Sequence, residues 1–290
     1  AAEKGMLTRD EAVAAVNRIK IVGGPADMKP CQVVIEVIVE NLEAKQNLFA
    51  QLESVVAPDC ILATNTSSLS VTTIASKLKS PQRFAGFHFF NPVPLMKLVE
   101  VIDGLRTANW VSAALMELGR RMTREPVRLK DAPGFLVNQV GRGFTLGASH
   151  LVYEGIAEFH DVDRGKRDVG GFRMGPFELM ELTGLDVTQP ASELIYNQFF
   201  QEPRYRPNLI MRSRFEAGLL GRKTKRGFYE YDAEMKAIVA AEPAAPAERR
   251  RRCAHSPPLP RGVRQVPPLA PLARDPAAAP GRTRRGLRNA

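Results

Sequence analysis

The feature that most constrains this sequence is a regular alternation between short apolar runs and longer amphipathic segments. Residues 33–39, 60–63 and 84–90 are short and rich in β-branched, aromatic and other apolar side chains, which is typical of buried strands. The segments between them, about 42–56 and 71–78, carry apolar residues at helical spacing. Strand, helix, strand, helix, strand predicts an α/β fold with a doubly wound parallel sheet, whose ligands bind beyond the carboxyl ends of the strands.

Further elements surround this pattern. Thr8 and Glu11 form a capping-box pattern at the start of a helix, and residues 19–22 are predicted to be a short strand. Beyond residue 90 the pattern predicts two more strands, with one helix between them. They are a strand at 98–102, a helix at about 108–122 and a strand at 127–129.

The chain divides into three predicted parts. Residues 1–130 hold the sheet, and residues 131–232 are predicted to be all-helical, with the link at 131–134 as a hinge. Residues 233–290 form an arginine-, proline- and alanine-rich tail without apolar periodicity, which predicts disorder. The predicted helices of the second part are at about 135–155, 157–167, 177–182, 187–199 and 208–217.

The net charge of +10 is confined mostly to the tail. Residues 241–290 carry eleven arginines and three carboxylates, a net of +8, so the remaining residues carry only +2. A nearly neutral body argues against nucleic-acid binding, and the basic tail is expected to be solvated without a role. No apolar run is long enough to span a membrane, and no signal peptide opens the sequence. Three scattered cysteines predict reduced thiols in the cytoplasm and no metal site.

Two neighbouring predicted strands carry one histidine and one carboxylate. His88 lies in the strand at 84–90, and Glu100 lies in the strand at 98–102. If the strands pair, the carboxylate can fix the tautomer of the imidazole, which makes the histidine a general base near neutral pH. The alternative is a half-buried strand histidine beside an unrelated glutamate. Glu40, Asn65 and Ser67 follow strand ends, where ligands of such sheets bind.

Seven separated motifs occur in one order between residues 4 and 231. They are residues 37–45, 63–69, 86–92, 98–101, 133–138, 174–179 and 221–224. Together they resemble the L-3-hydroxyacyl-CoA dehydrogenase family. The sequence of residues 170–176 is most similar to the bacterial branch of this family, which comprises 3-hydroxybutyryl- and 3-hydroxyadipyl-CoA dehydrogenases. The resemblance implies an NAD-binding Rossmann-like domain followed by an all-α domain that forms a homodimer.

The resemblance also implies roles for single residues. His88 is implied to take the proton of the 3-hydroxyl of a (3S)-3-hydroxyacyl-CoA as hydride leaves C3 for NAD, and Glu100 is implied to orient it. Ser67 and Asn138 are implied to bind the substrate in a cleft between the two domains. The predicted cofactor contacts are Glu40, Lys45, Asn65, Ser67, Asn91 and Lys223.

Each of these residues has a plainer alternative. Glu40 and Lys45 fit a solvated charged pair at a helix start, and Ser67 fits a helix cap. Asn91 fits the start of the turn at the following proline, Asn138 fits an exposed helix position, and Lys223 fits one of many exposed cations.

The sequence departs from the family in its phosphate-binding part, in the tail at 241–290 and at Lys225, where the family more often has glycine. It contains no Gly-x-Gly-x-x-Gly phosphate loop. We therefore expect a truncated Rossmann-like domain that lacks its N-terminal part, and that by itself binds NAD poorly. The alternative function is a catalytically inactive fragment that serves only as a helical dimerisation module.

Overall fold

In the computed structural model, described over residues 8–238, a five-stranded sheet is covered by helices on both faces. The strands follow one another in the sheet in their chain order, from β1 at one edge to β5 at the other. Their bounds are β1 (Val33–Glu36), β2 (Ile61–Thr64), β3 (Phe84–Phe89), β4 (Leu98–Asp103) and β5 (Glu125–Lys130). The helices of this part are α1 (Arg9–Asn17), α2 (Leu42–Val55), α3 (Val71–Ala75) and α4 (Asn109–Arg121).

The parallel sheet predicted from the first three strands is confirmed, and the last two strands run in the opposite direction. β1, β2 and β3 run parallel, whereas β4 is antiparallel to β3 and β5 is parallel to β4. The reason is the short link at residues 90–97, since a parallel return needs a crossover of a dozen residues or more. Pro92 and Pro94 lie in this link and keep it out of the sheet.

Alternate residues of the strands supply two separate cores, one on each face of the sheet. Leu62, Phe84 and Ile102 pack with α2 and α3 on one face. Ala63 and Phe87 pack with α4 on the other. His88 and Glu100 share the parity of Phe84 and Ile102, so both belong to the face that α2 and α3 cover.

The second part is helical, as predicted, apart from the strand β6 (Glu230–Tyr231) at its end. Its helices are α5 (Val137–Tyr153), α6 (Phe159–Asp168), α7 (Pro176–Thr183), α8 (Leu185–Gln198) and α9 (Leu209–Glu216). The buried Asp163 of α6 caps α7 by accepting hydrogen bonds from the backbone N–H groups of Phe177 (2.8 Å) and Glu178 (3.0 Å). The Tyr229 hydroxyl donates to the same carboxylate at 2.7 Å, which ties the end of the helical part to its centre.

Two segments differ from the prediction. Residues 19–22 form no strand, and Ile19 and Ile21 are 72% and 99% exposed. The predicted start of the tail, residue 233, is too early. Residues beyond it still belong to an ordered hairpin, in which β6 (Glu230–Tyr231) pairs antiparallel with β7 (Ala237–Ile238). The turn between them is closed by the Asp232 side chain, which accepts from the Lys236 amide at 2.7 Å. The rest of the predicted tail, 239–290, lies outside the described residues.

The sheet and the helical part are joined by specific polar contacts. Asp131, just after β5, accepts hydrogen bonds from the Ser70 hydroxyl (2.7 Å) and the Thr72 amide (2.8 Å). Gln198, at the end of α8, donates to the Ser68 carbonyl oxygen at 3.0 Å. Gly134 has a φ of +72°, and a Cβ there would lie 2.8 Å from the Ile195 side chain, so this link needs glycine.

Candidate active site

The centre of the candidate site is a histidine–carboxylate pair built by strand register. β3 and β4 pair so that His88 lies directly opposite Glu100. The His88 Nδ1 atom is 2.7 Å from Glu100 Oε2, and the two residues are only 5% and 0% exposed. Because an ionised carboxylate only accepts hydrogen bonds, this contact places the proton on Nδ1 and leaves Nε2 as the free basic nitrogen. The predicted pairing is therefore confirmed.

The second oxygen of Glu100 is held by the start of α5. Glu100 Oε1 accepts hydrogen bonds from the backbone N–H groups of Leu136 and Val137, each at 3.0 Å. The first amides of a helix have no partner inside the helix, and its dipole favours a negative charge there. One carboxylate thus fixes the histidine on one side and the helical part on the other.

Aromatic rings enclose the imidazole. The Phe90 ring stands edge-on to His88 at a centroid distance of 4.6 Å, and the Phe135 ring lies 5.7 Å away. Phe135 follows the Gly134 link and is itself only 3% exposed. The rings restrict the orientation of the imidazole, so the geometry of its free nitrogen is set before any ligand binds.

A cleft of about 440 Å³ opens beside His88, between the carboxyl ends of the parallel strands and α5 and α8. A larger cavity of about 550 Å³ lies elsewhere, among α5, α8 and α9, and includes none of the predicted site residues. The chemistry therefore favours the smaller cleft. The predicted site residues that line it are Glu40, Lys45, Asn65, Ser67, His88, Asn91 and Asn138.

Glu40 is fixed at the mouth of the cleft by the loop after β2. Its Oε1 atom accepts hydrogen bonds from the Thr66 hydroxyl (2.6 Å), the Ser67 amide (2.9 Å) and both the amide and hydroxyl of Ser68. Burial alone would raise the pKa of Glu40, but these hydrogen bonds and the Lys45 charge outweigh it and lower the pKa below its ordinary value. Glu40 is therefore an ionised acceptor in the cleft.

Lys45 is not the solvated cation of the plainer alternative. It is 1% exposed, and its Nζ lies 2.6 Å from Glu36 Oε1 and 3.3 Å from Glu40 Oε2. Glu36 in turn accepts from the Thr64 hydroxyl at 2.7 Å and from the Ile38 amide at 2.6 Å. The ammonium is thus engaged by the protein itself, and a direct contact between Lys45 and a cofactor stays a prediction.

The predicted site residues that are polar but uncharged differ in whether the protein already uses their side chains in hydrogen bonds. Asn65 uses its Oδ1 atom to accept from the Phe89 amide at 2.8 Å, so it holds the end of β3. Within residues 8–238, the side chains of Ser67, Asn91 and Asn138 make no hydrogen bond, although all three line the cleft. These groups are free to bind a ligand.

Lys223 lies apart from the other predicted residues. Its Nζ is 2.7 and 2.9 Å from the two carboxylate oxygens of Asp186, near the start of α8, and it does not line the cleft. Its predicted contact with a cofactor stays a prediction.

Sequence reasoning missed two charged residues of this site, Glu36 and Arg142. Glu36 is the last residue of β1, and a carboxylate within the apolar run at 33–39 was the available signal. Arg142 follows Asn138 by one helical turn and lines the cleft, and its spacing from Asn138 was the available signal.

Family models match nearly the whole of the described chain. The NAD-binding domain of 3-hydroxyacyl-CoA dehydrogenase matches residues 1–132, and the C-terminal domain of the same enzymes matches residues 134–231. The chain belongs to the 3-hydroxyacyl-CoA dehydrogenase family. The fold and the NAD-binding character of the first part, which the motifs predicted, are thereby confirmed.

Curated relatives agree with this assignment. The chain is 41% identical over 239 residues to 3-hydroxyadipyl-CoA dehydrogenase of Escherichia coli, covering 82% of the chain and 50% of that protein. It is 39% identical over 231 residues to the probable 3-hydroxybutyryl-CoA dehydrogenase of Bacillus subtilis, covering 80% of each. The chain therefore spans about half the length of the first relative and most of the second.

Solved structures share the fold. A 3-hydroxybutyryl-CoA dehydrogenase from Escherichia coli superposes with a TM-score of 0.79 at 41% identity, covering 83% of this chain and 51% of that one. The (S)-3-hydroxybutyryl-CoA dehydrogenase from Ralstonia eutropha superposes with a TM-score of 0.76 at 37% identity, covering 80% and 81%. No helix within residues 8–238 has both the length and the apolar character to cross a bilayer.

Proposed function

We propose that this protein catalyses the NAD-dependent oxidation of a (3S)-3-hydroxyacyl-CoA to the 3-oxoacyl-CoA, with His88 as the general base. The observation that carries the proposal is the 2.7 Å contact between His88 Nδ1 and Glu100 in a cleft shared with Ser67 and Asn138. The names of the relatives, which are 3-hydroxyadipyl- and 3-hydroxybutyryl-CoA dehydrogenases, support this substrate class.

The proton chemistry follows from the dyad. Glu100 holds the proton on Nδ1, so Nε2 accepts the proton of the substrate hydroxyl, and the carboxylate stabilises the imidazolium that results. In the reverse direction the same nitrogen returns the proton to the 3-oxo oxygen. The enclosing rings of Phe90 and Phe135 keep bulk water from competing for Nε2.

Ser67 and Asn138 position the substrate in this proposal. Ser67 lies on the loop after β2, and Asn138 lies in the first turn of α5, so they face the cleft from its two sides. Their free hydroxyl and amide groups bind the oxygens of the acyl thioester segment and align the hydroxyl with His88. Such alignment is a large part of the rate gain in two-substrate reactions.

The residues present fit the nicotinamide end of NAD. The Glu40 side chain is 35% exposed at the mouth of the cleft, and among the described residues its Oε2 contacts only the Lys45 ammonium. Oε2 is therefore available to accept a hydrogen bond from a hydroxyl donor. Asn65, Ser67 and Asn91 line the same edge of the sheet, where dinucleotides bind in such folds. When bound, NAD supplies the hydride acceptor. Lys45 keeps Glu40 in place and ionised.

We also propose a three-part organisation, a homodimer and a cytoplasmic location. The family models change at residues 132 and 134, which supports a division near residue 130. The helical part is then followed by the β6–β7 hairpin, and the tail comes after this hairpin. Apolar side chains on the helical part support a dimer interface there, since Val140 is 66% exposed and Ile156 is 64% exposed. Size-exclusion chromatography with light scattering distinguishes dimer from monomer.

The experiment that tests the activity measures NADH oxidation with acetoacetyl-CoA by the purified protein that carries this sequence. His88→Gln removes the base while keeping a similar side-chain volume, and kcat is expected to fall by about 10²- to 10⁴-fold. His160→Gln is the matched control, because His160 lines no part of the cleft, and its kcat is expected to stay at the wild-type level. A His88→Gln protein that keeps more than a tenth of kcat contradicts the proposal.

A further inference from the structure

Arg142 is the cation of the cleft that the proposed chemistry does not use. It lies on α5 one turn after Asn138, and it lines the same cleft as His88. Its Nη1 donates to the Thr188 carbonyl oxygen at 3.2 Å and to the Ser192 hydroxyl at 2.8 Å, both on α8. These contacts hold the guanidinium at the junction of two helices, but both acceptors are neutral.

The charge of Arg142 has no counter-ion in the described part of the chain. No carboxylate within residues 8–238 forms an ion pair with it, and its Nε is buried without a hydrogen-bond partner. Burial lowers the pKa of the Arg142 guanidinium below its ordinary value. An arginine stays protonated in proteins, and a buried charge is unfavourable unless an opposite charge pairs with it. The half-buried guanidinium therefore offers its charge to an anionic group of a ligand in the cleft.

The rest of this cleft wall suits an acyl chain. Val187, Ala191 and Ile195 of α8 line the cleft with apolar surface. An acyl chain whose 3-hydroxyl is hydrogen-bonded to His88 lies in the same cleft as these apolar side chains and the Arg142 guanidinium. A chain that ends in a methyl group leaves the charge unpaired, whereas a chain that ends in a carboxylate pairs with it.

We propose that Arg142 selects 3-hydroxyacyl-CoA substrates whose acyl chain ends in a second carboxylate. A guanidinium presents parallel N–H donors that match the two oxygens of a carboxylate. The inference rests on the proposed function, because it places the acyl chain in this cleft. Arg142 then acts on specificity, and the base chemistry of His88 is the same for both kinds of chain.

The test compares two substrates of equal chain length that carry the same CoA. 3-Oxoadipyl-CoA ends in a carboxylate, 3-oxohexanoyl-CoA ends in a methyl group, and both are assayed by NADH oxidation with the purified protein. The wild type is expected to favour 3-oxoadipyl-CoA by about 10- to 100-fold in kcat/KM, the gain of a hydrogen-bonded charge pair. In Arg142→Met this ratio falls by the same factor, mainly through KM, and Arg142→Lys retains part of it. Arg212→Met, an exposed arginine of α9 paired with Glu216, is the matched control.

Three outcomes overturn the inference or separate it from the proposed function. Equal kcat/KM for the two substrates in the wild type contradicts the inference and leaves the dehydrogenase activity intact. A loss in Arg142→Met that is equal for both substrates also contradicts it, because Arg142 then binds a CoA phosphate or supports the fold. If neither substrate is reduced, the proposed function fails. Calorimetric titration of the two acyl-CoAs onto wild type and Arg142→Met then decides whether Arg142 discriminates between them.

Discussion

Two carboxylates lie on the two sides of the candidate active site, and they are held in place in different ways. Glu100 is wholly buried, and both of its oxygens are taken by groups of regular structure, namely the opposite strand and the first turn of α5. Glu40 has a side chain that is 35% exposed, and it is held by the loop at residues 66–68 and by one lysine. The side to which we assign proton transfer is fixed by sheet register, and the side to which we assign the cofactor is fixed by a loop.

This difference has a physical reason. Proton transfer needs heavy-atom distances of about 3 Å, so its groups benefit from a rigid frame. A cofactor that enters and leaves needs an edge that water reaches, and a partly exposed carboxylate supplies acceptors there at little cost in desolvation. The comparison predicts that changes at the buried side lower stability and activity together, whereas changes at the exposed side act mainly on cofactor affinity.

The largest expected effect on stability is at the buried lysine behind Glu40. Lys45→Met removes the cation that pairs with Glu36 and leaves that buried carboxylate with only the Thr64 hydroxyl and the Ile38 amide as partners. The free energy of unfolding is expected to fall by about 3–5 kcal/mol. Urea denaturation measures it, with the exposed Lys77→Met as the control, for which a change within about 0.5 kcal/mol is expected. A loss below about 1 kcal/mol for Lys45→Met would mean that Glu36 is neutral or hydrated.

Glu100→Ala is expected to rank second. It leaves His88 Nδ1 and the amides of Leu136 and Val137 without their acceptor, at a cost of about 3 kcal/mol in unfolding free energy. Activity falls together with stability, because the imidazole loses its orienting group. Glu117→Ala, an exposed glutamate of α4 paired with Arg120, is the control in the same urea titration. If Glu100→Ala is as stable as this control, the dyad does not join the sheet to α5.

The exposed side is expected to respond less in stability and more in cofactor binding. Glu40→Gln keeps the size of the side chain and weakens the hydrogen bonds from the loop at 66–68, which costs about 1 kcal/mol of unfolding free energy. The KM for NADH is expected to rise by about tenfold while kcat changes less. Glu43→Gln, at an exposed position in the first turn of α2, is the matched control. An unchanged KM for NADH would remove Glu40 from the cofactor site.

The smallest effect is a difference in pH dependence. The lowered pKa of Glu40 means that its stabilisation is present above its ordinary pKa of 4.5 and is lost as the pH falls through the lower folded-state value. Burial raises the pKa of Asp163 in the helical part, so its contribution is present below its ordinary pKa of 3.8 and is lost as the pH rises through the raised value. Urea titrations of wild type, Glu40→Gln and Asp163→Asn across acidic pH are expected to give difference curves of opposite slope. Slopes of the same sign contradict the two assignments.

The sequence predicted the elements of this site better than their directions. The helices and most strands followed from apolar spacing, and the dyad followed from one histidine and one carboxylate on neighbouring strands. The only sign in the sequence that β4 runs antiparallel to β3 was the short link at 90–97 between them. The length of this link, and not the general pattern of a parallel sheet, determined the direction of β4. A pattern of period two identifies a strand but does not give its direction.

The charged groups that the sequence analysis missed depend on tertiary packing. Glu36 looked like part of an apolar strand, and only the fold brings the Lys45 ammonium onto it. Arg142 lies within the helix predicted at about 135–155, and only the packing of α8 on α5 places its guanidinium, partly buried, in the cleft. Whether a charge is solvated or buried is decided by elements distant in sequence, which local spacing does not reveal.

The most direct test of the central claim is a double-mutant cycle on the dyad. NADH oxidation with acetoacetyl-CoA is measured for wild type, His88→Gln, Glu100→Gln and the double variant, all shown to be folded. If Glu100 acts through His88, the double variant has the same kcat/KM as His88→Gln alone, because the second change removes an orienting group that no longer has a base to orient. Effects that multiply in the double variant would contradict the claim, because the two side chains would then act independently.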